Sequence, residues 1–219
     1  MNIKLTEKAS VIKPLSKHSG IAVPMLSNNI DTDQIIPSRE MKKVSKRGLS
    51  EGLFAGQRYQ TADPKDRTLN PEFILNIEPF NQATILLSGK NFGCGSSREH
   101  AAWAIHEFGF KVIIAESFGS IFRINCLRNG ILPVILSAEN ISLLNNEVMQ
   151  DPVANKISVD IDALTVHSPS AKQFSFELES HFQEMLIGGL DFISLTLKRQ
   201  KQIDAFIEKD KRKRQWAYL

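Results

Sequence analysis

Gly89-Lys90-Asn91-Phe92-Gly93-Cys94-Gly95-Ser96-Ser97-Arg98-Glu99-His100 lies between an apolar run, Ala83 to Leu87, and a helix pattern from Glu99 to Phe108. Its glycines let the backbone turn sharply and come close to a ligand. Ser96, Ser97 and Arg98 then fall at the opening of the helix, where free N–H groups and the helix dipole favour anions. Two hydroxyls beside a fixed guanidinium suit a carboxylate substrate. The plain alternative is a tight strand-to-helix turn capped by serine.

Working outward, the pattern alternates strand and helix. Ala83 to Ser88 reads as a strand and Arg98 to Phe108 as a helix ended by Gly109, with Lys111 to Ala115 a buried-type strand after it. That order predicts a parallel strand–helix–strand unit. A second short helix, Ile121 to Asn129, is closed by Gly130; then come a strand, Leu132 to Leu136, and a helix, Ser137 to Asn146. Lys156 to Ile161, Leu164 to Val166 and Gln173 to Leu178 alternate as hairpin strands, and helices return from His181. Upstream, residues 1 to 20 read as an irregular arm, followed by an early strand near Gly20 to Met25. Asn28 to Asp33 is turn-rich. Asp31 and Asp33 offer only two carboxylates, so local Asx capping accounts for them better than a metal. Ser38 to Pro71 is a long polar segment, of the kind that forms a functional loop. Its apolar Leu53 and Phe54 either make the loop's own small core or help close over an apolar substrate group.

The chain has 219 residues, 42% apolar and 23% charged, which is ordinary globular usage and allows one domain with an extension. Net charge is +3, but Lys198 to Arg214 carries eight basic residues against three acidic ones, so the rest is net negative. The tail reads as a solvated helix or a dock for an acidic partner. Nucleic acid is not expected, because Phe206 is the single aromatic residue among these cations before Trp216. No apolar run reaches the ~20 residues of a membrane span. The first twenty residues lack a signal peptide's apolar core, so a cytoplasmic protein with reduced thiols is expected. The two cysteines, Cys94 and Cys126, are too few for an iron–sulfur cluster held by three or four thiolates. Any cluster the chemistry needs must come from a second chain.

The run Asn91 to His100 resembles the active-site loop of the small subunits of 3-isopropylmalate dehydratases, members of the aconitase superfamily. Asn29-Ile30-Asp31-Thr32-Asp33-Gln34-Ile35-Ile36-Pro37 is similar to that family's N-terminal signature, and Ser117-Phe118-Gly119-Ser120-Ile121-Phe122-Arg123-Ile124-Asn125-Cys126 to its second block. Gly48 to Phe54 looks like the bacterial form of an intervening loop.

The resemblance implies an α/β fold, the swivelling β/β/α domain (aconitase domain-4-like), over residues 1–180. A C-terminal helical extension would cover 181–219, and 38–71 would be the substrate loop. It implies a hydro-lyase of leucine biosynthesis that interconverts 2-isopropylmalate and 3-isopropylmalate by loss and re-addition of water. Ser96 matches the superfamily's serine base, and Ser97 and Arg98 match its substrate-carboxylate contacts. Arg39 and Arg123 match further arginines, Arg123 either a substrate contact or a structural ion pair. Asp33 would either brace its turn or orient the partner's groups. His100 and Cys94 read as packing residues, as do Trp103 and Trp216. The resemblance places no cofactor or metal on this chain, and a 4Fe-4S cluster on a large-subunit partner. The substrate would be a small substituted malate. Small subunits for homoaconitate, citraconate or dimethylmalate stay open as alternatives, as does a non-catalytic anion-binding module.

Overall fold

The computed structural model describes residues 12–41, 47–63 and 65–218. Its elements are β1 (Lys17–Gly20), β2 (Ala22–Met25), α1 (Thr32–Ile35), α2 (Ala55–Arg58), β3 (Ile85–Ser88), α3 (Glu99–Phe108), β4 (Val112–Ala115) and α4 (Ser120–Arg128). They continue with β5 (Leu132–Ile135), α5 (Ala138–Gln150), β6 (Ile157–Asp160), β7 (Thr165–His167), β8 (Gln173–Ser175), α6 (Ser180–Gly188), α7 (Phe192–Leu197) and α8 (Gln200–Lys213).

Two sheets carry these elements. β2, β3, β4 and β5 lie side by side in sequence order, all parallel, with Ala22 opposite Ile85, Ile85 opposite Val112 and Val112 opposite Leu132. Parallel strands need crossover connections, and the helical patterns between the apolar runs supply them. Every residue of β3 and of β4 is buried, which is why Ile85 to Leu87 and Val112 to Ala115 read as apolar runs without alternation. Burying each Ile or Leu there stabilises the fold by roughly 1.5–3 kcal/mol. The two prolines of the sheet, Pro24 and Pro133, sit in its edge strands β2 and β5, where a missing N–H costs no ladder bond.

The second sheet is antiparallel, in the order β1, β6, β7, β8. In β6, Ile157 and Val159 are buried while Ser158 and Asp160 are half-buried, the period-two pattern of a sheet with one face on the core. β1 corrects the reading of an irregular arm up to residue 20. Lys-His-Ser-Gly has no strand signature of its own, and its ladder to β6 makes it one, Lys17 opposite Asp160 through Gly20 opposite Ile157. The part of the arm over residues 1–11 lies outside the described residues. α5 runs four residues beyond Asn146, with Ser137 as its N-cap.

Within 38–71, residues 42–46 and 64 lie outside the described residues. The remainder is not structureless. It holds 3₁₀ turns at Ser38–Glu40 and Ser50–Gly52, the single turn α2, and a bridge between Tyr59 and Leu69. Leu53 and Phe54 are fully buried members of the main core. They therefore pin the loop to the body rather than forming a core of its own. At the other end, Phe182, Met185 and Leu186 of α6 are buried, whereas α7 and α8 bury no residue.

Candidate active site

The glycine loop after β3 is gripped from two sides. On one side, Asn29 N–H donates to the Lys90 carbonyl at 2.8 Å, Gly93 N–H to the Ile30 carbonyl at 2.7 Å and Thr32 N–H to the Cys94 carbonyl at 2.9 Å. On the other, Phe92 N–H donates to the Ser117 carbonyl at 3.0 Å and Gly119 N–H to the Phe92 carbonyl at 2.9 Å. The buried Phe92 ring meets Phe118 and Phe122 edge-on. Two glycines make this packing feasible. Gly93 has φ +72°, and a Cβ there would lie 2.2 Å from the Phe122 ring. At Gly119 a Cβ would lie 2.5 Å from the Gly93 carbonyl oxygen.

The result is a cleft of about 460 Å³ lined by the loop residues Gly93 to Arg98 and by Gly119, Ser120 and Phe122 at the start of α4. Ser96 and Ser97 are exposed on its wall. Thr32 Oγ1 donates to the Ser96 carbonyl at 2.9 Å and so holds the Ser96 backbone. Serine does not cap the following helix. The N-cap of α3 is Arg98, that of α4 is Gly119, and neither helix has a side-chain cap. Two helix N-termini therefore border one cleft with their positive ends uncapped, an arrangement that attracts anions.

Arg98 is held in place by Asp33, whose Oδ1 accepts from its Nη1 and, at 3.1 Å, from the Ser38 hydroxyl. The Arg98 hydrogen bond holds the Asp33 carboxyl below its usual range. Asp33 thus braces the cleft arginine. Asp31, two residues earlier, is the N-cap of α1, accepting from Gln34 N–H at 2.7 Å, as the Asx reading expected.

Of the five residues singled out in sequence, the cleft gathers Ser96, Ser97 and Arg98. Arg123 is held elsewhere by a carboxylate, and Arg39 lies beside one without hydrogen-bonding it through its buried Nε. Arg39 Nε lies 3.5 Å from Glu40, which also takes Arg67 at 2.7 Å. Arg123 gives both terminal nitrogens to Glu179, at 2.9 and 2.7 Å, and this pair pulls the Glu179 carboxyl down to about 2. It lines a larger hollow of about 680 Å³ with Ile135, Leu164 and Phe176. That hollow is bigger, but its guanidinium is already matched by a carboxylate, and no serine–arginine loop reaches it. The serine–arginine loop lines the smaller cleft instead. His100 meets Trp103 at a tilt with ring centroids 4.7 Å apart, a packing contact.

Three contributors escaped the sequence reading. Thr32 lay inside a block read as a turn. The N-terminus of α4 lies in the second block of the resemblance, but nothing local puts it beside the glycine loop, which is remote in sequence. Glu107, at the far end of α3, accepts the N–H groups of Gly48, Leu49 and Ser50. Only the capping preference of Asp31 had a local signal.

Among the described residues, no group of three His, Cys, Asp or Glu side chains forms a metal site, and no helix is long and apolar enough to cross a membrane. Cys126 is fully buried, and burial pushes its thiol well up, away from the thiolate a metal needs.

Residues 12–139 match the family model of the aconitase C-terminal domain. The chain is 49% identical to the 3-isopropylmalate dehydratase small subunit of Cupriavidus necator, over 95% of this chain and 99% of that one. It is 44% identical to the small subunit of Leptospira interrogans, over 94% and 99%. The crystal structure of a 3-isopropylmalate dehydratase from Methanocaldococcus jannaschii superposes with a TM-score of 0.58 at 26% identity, over 86% of this chain and 98% of that one. Fold, cleft and full-length likeness agree, and the chain belongs to the family of 3-isopropylmalate dehydratase small subunits, which carry the aconitase C-terminal domain.

Proposed function

We propose that this chain, with a large-subunit partner, forms a hydro-lyase that interconverts 2-isopropylmalate and 3-isopropylmalate in the cytoplasm. The observation that carries this reading is the cleft in which Ser96, Ser97 and a braced Arg98 meet two uncapped helix N-termini. A substituted malate has two carboxylates, and the cleft offers a guanidinium and two dipole ends to receive them. Swivelling-domain residues 1–180 with the loop 38–71 would form the catalytic part and 181–219 an extension.

The demanding step removes a weakly acidic proton from carbon beside a carboxylate. Ser96 is its base in this reading. A serine alkoxide is scarce near neutral pH, so the site must stabilise negative oxygen strongly. Backbone N–H groups following Gly95, at the positive end of α3, can do so as an oxyanion hole does. Ser97 and Arg98 orient the substrate, Arg98 with the planar fork of its guanidinium. Arg39 and Arg123 are assigned here to holding the cleft's surroundings, since both already face carboxylates.

The residues of this chain do not fit a 4Fe-4S cluster, because one of its two thiols is sealed in the core. The cluster is assigned to the partner, and no step is derived through it.

Co-expression with the large subunit under anaerobic conditions tests the proposal. The complex should interconvert the two isopropylmalates, and the isolated chain should do neither that nor hold a stoichiometric cluster by iron and sulfide analysis. A complex that turns over citraconate or homoaconitate but not isopropylmalate would move the chain to a sister dehydratase. A complex inactive on all of them would leave a bare anion-binding module.

A further inference from the structure

Glu107 makes an unusual set of contacts. Its carboxylate sits at the C-terminal end of α3 and accepts three successive backbone N–H groups, from Gly48 at 2.6 Å, Leu49 at 2.5 Å and Ser50 at 2.8 Å. A side chain that serves only its own helix would not reach 57 to 59 residues back along the chain. Burial opposes ionisation of this group, but the three N–H donors outweigh it and hold the carboxyl below its usual range.

The anchored segment leads back to the cleft. Just after it, Gly52 packs so tightly on Glu40 that a Cβ at Gly52 would lie 2.8 Å from the Glu40 Cβ and 3.4 Å from Ile36. Phe54 N–H donates to the Ile35 carbonyl at 2.7 Å. Residues 35–40 are thereby pressed from the loop side, and they include Ser38, which bonds Asp33, the brace of Arg98. The two ends of α3 are thus joined through the loop: Glu107 holds 48–50, Gly52 and Phe54 just after them press on 35–40, Ser38 bonds Asp33, and Asp33 holds Arg98.

We propose that Glu107 is a positioning residue that sets the Arg98 guanidinium in the cleft through the loop it anchors; this rests on reading Arg98 as a substrate contact. The loop's short turns carry no ladder, so Glu107 adds three backbone anchors to the hold already given by buried Leu53 and Phe54.

The test uses the assembled complex with 3-isopropylmalate as substrate and compares the unaltered chain with Glu107→Gln, Arg98→Lys and the double variant. Glu107→Gln is expected to raise KM and to lower kcat/KM by about 10- to 100-fold, the scale of loss from misplacing a contact group by about 1 Å. The double variant should be no worse than Arg98→Lys alone, because residues acting in series are not additive. Additive losses, or unchanged kcat/KM in Glu107→Gln even if its melting temperature falls, overturn the proposal and leave Arg98 as a substrate contact. An unaltered kcat/KM in Arg98→Lys overturns both that reading and the proposal. If Glu107→Gln yields no complex, Gly52→Ala replaces it, pressing on Glu40 with Glu107 intact. The same loss and the same non-additivity with Arg98→Lys are then expected, and additivity there overturns the proposal equally.

Discussion

Arg98–Asp33 and Arg123–Glu179 are both arginine–carboxylate pairs beside a hollow, yet they are built for different ends. Arg123 spends its two terminal nitrogens on both oxygens of Glu179, a bidentate fork that joins α4 to the N-cap of α6. Arg98 gives one nitrogen to one oxygen of Asp33, and that oxygen is shared with Ser38. The guanidinium of Arg98 therefore keeps donors for a ligand, in a cleft that two helix ends already make positive. The half-made pair lines the serine cleft, whereas both terminal nitrogens of Arg123 are taken by one carboxylate. The same residue types serve both, and what separates them is whether the carboxylate engages one terminal nitrogen or both.

The largest effect expected from breaking this contrast is at Ser96. Ser96→Ala in the assembled complex should lower kcat by about 100- to 10,000-fold, the usual worth of a general base, with substrate affinity and complex formation little changed. Steady-state kinetics with equilibrium binding checks it, and near-normal turnover would hand the proton to another group.

Gly93→Ala comes next. It places a side chain at φ +72° and 2.2 Å from the Phe122 ring, next to Arg123. Strain and overpacking together should destabilise the chain by at least about 2 kcal/mol. Denaturant unfolding measures it. A near-neutral result would mean that the loop-on-α4 packing, which shapes the cleft, is loose.

Arg98→Lys should then lose about 10- to 100-fold in kcat/KM at unchanged melting temperature, since an ammonium cannot reproduce a planar fork. A loss that instead tracks stability would make Arg98 a second Arg123.

The smallest effect is expected at the completed pair. Glu179→Gln should cost less than about 1 kcal/mol, because half of the Glu179 side chain is exposed and water screens the pair. The sign with pH follows from the depressed carboxyl, held at about 2 against a usual 4.5. The pair's contribution is full above pH 4.5 and fades as pH falls from there toward 2. Thermal unfolding of the two forms across that window should converge at its acid end. A loss of activity at neutral pH in Glu179→Gln would place Arg123 among the substrate contacts after all.

The chain order of strands and helices, the glycine loop and the Asp31 cap were legible in the sequence because each rests on local physics. Apolar runs such as Val112 to Ala115 declare buried parallel strands, and glycines before Ser-Ser-Arg declare a turn into a helix. The resemblance carried Ser96, Ser97 and Arg98 together. β1 was not legible, because Lys17 to Gly20 becomes a strand only through β6, about 140 residues away. Nor was the fate of the arginines. Arg39, Arg98 and Arg123 look alike as letters, and only the fold brings Glu40, Asp33 and Glu179 to them and sets Arg98 alone of the three in the serine cleft. The pairing of the α3 and α4 ends over one cleft, and the grip of Glu107 on Gly48 to Ser50, are also tertiary. Local periodicity and propensity act within a turn or a strand, whereas the direction in which a charged side chain spends its hydrogen bonds is decided by partners that only folding makes neighbours.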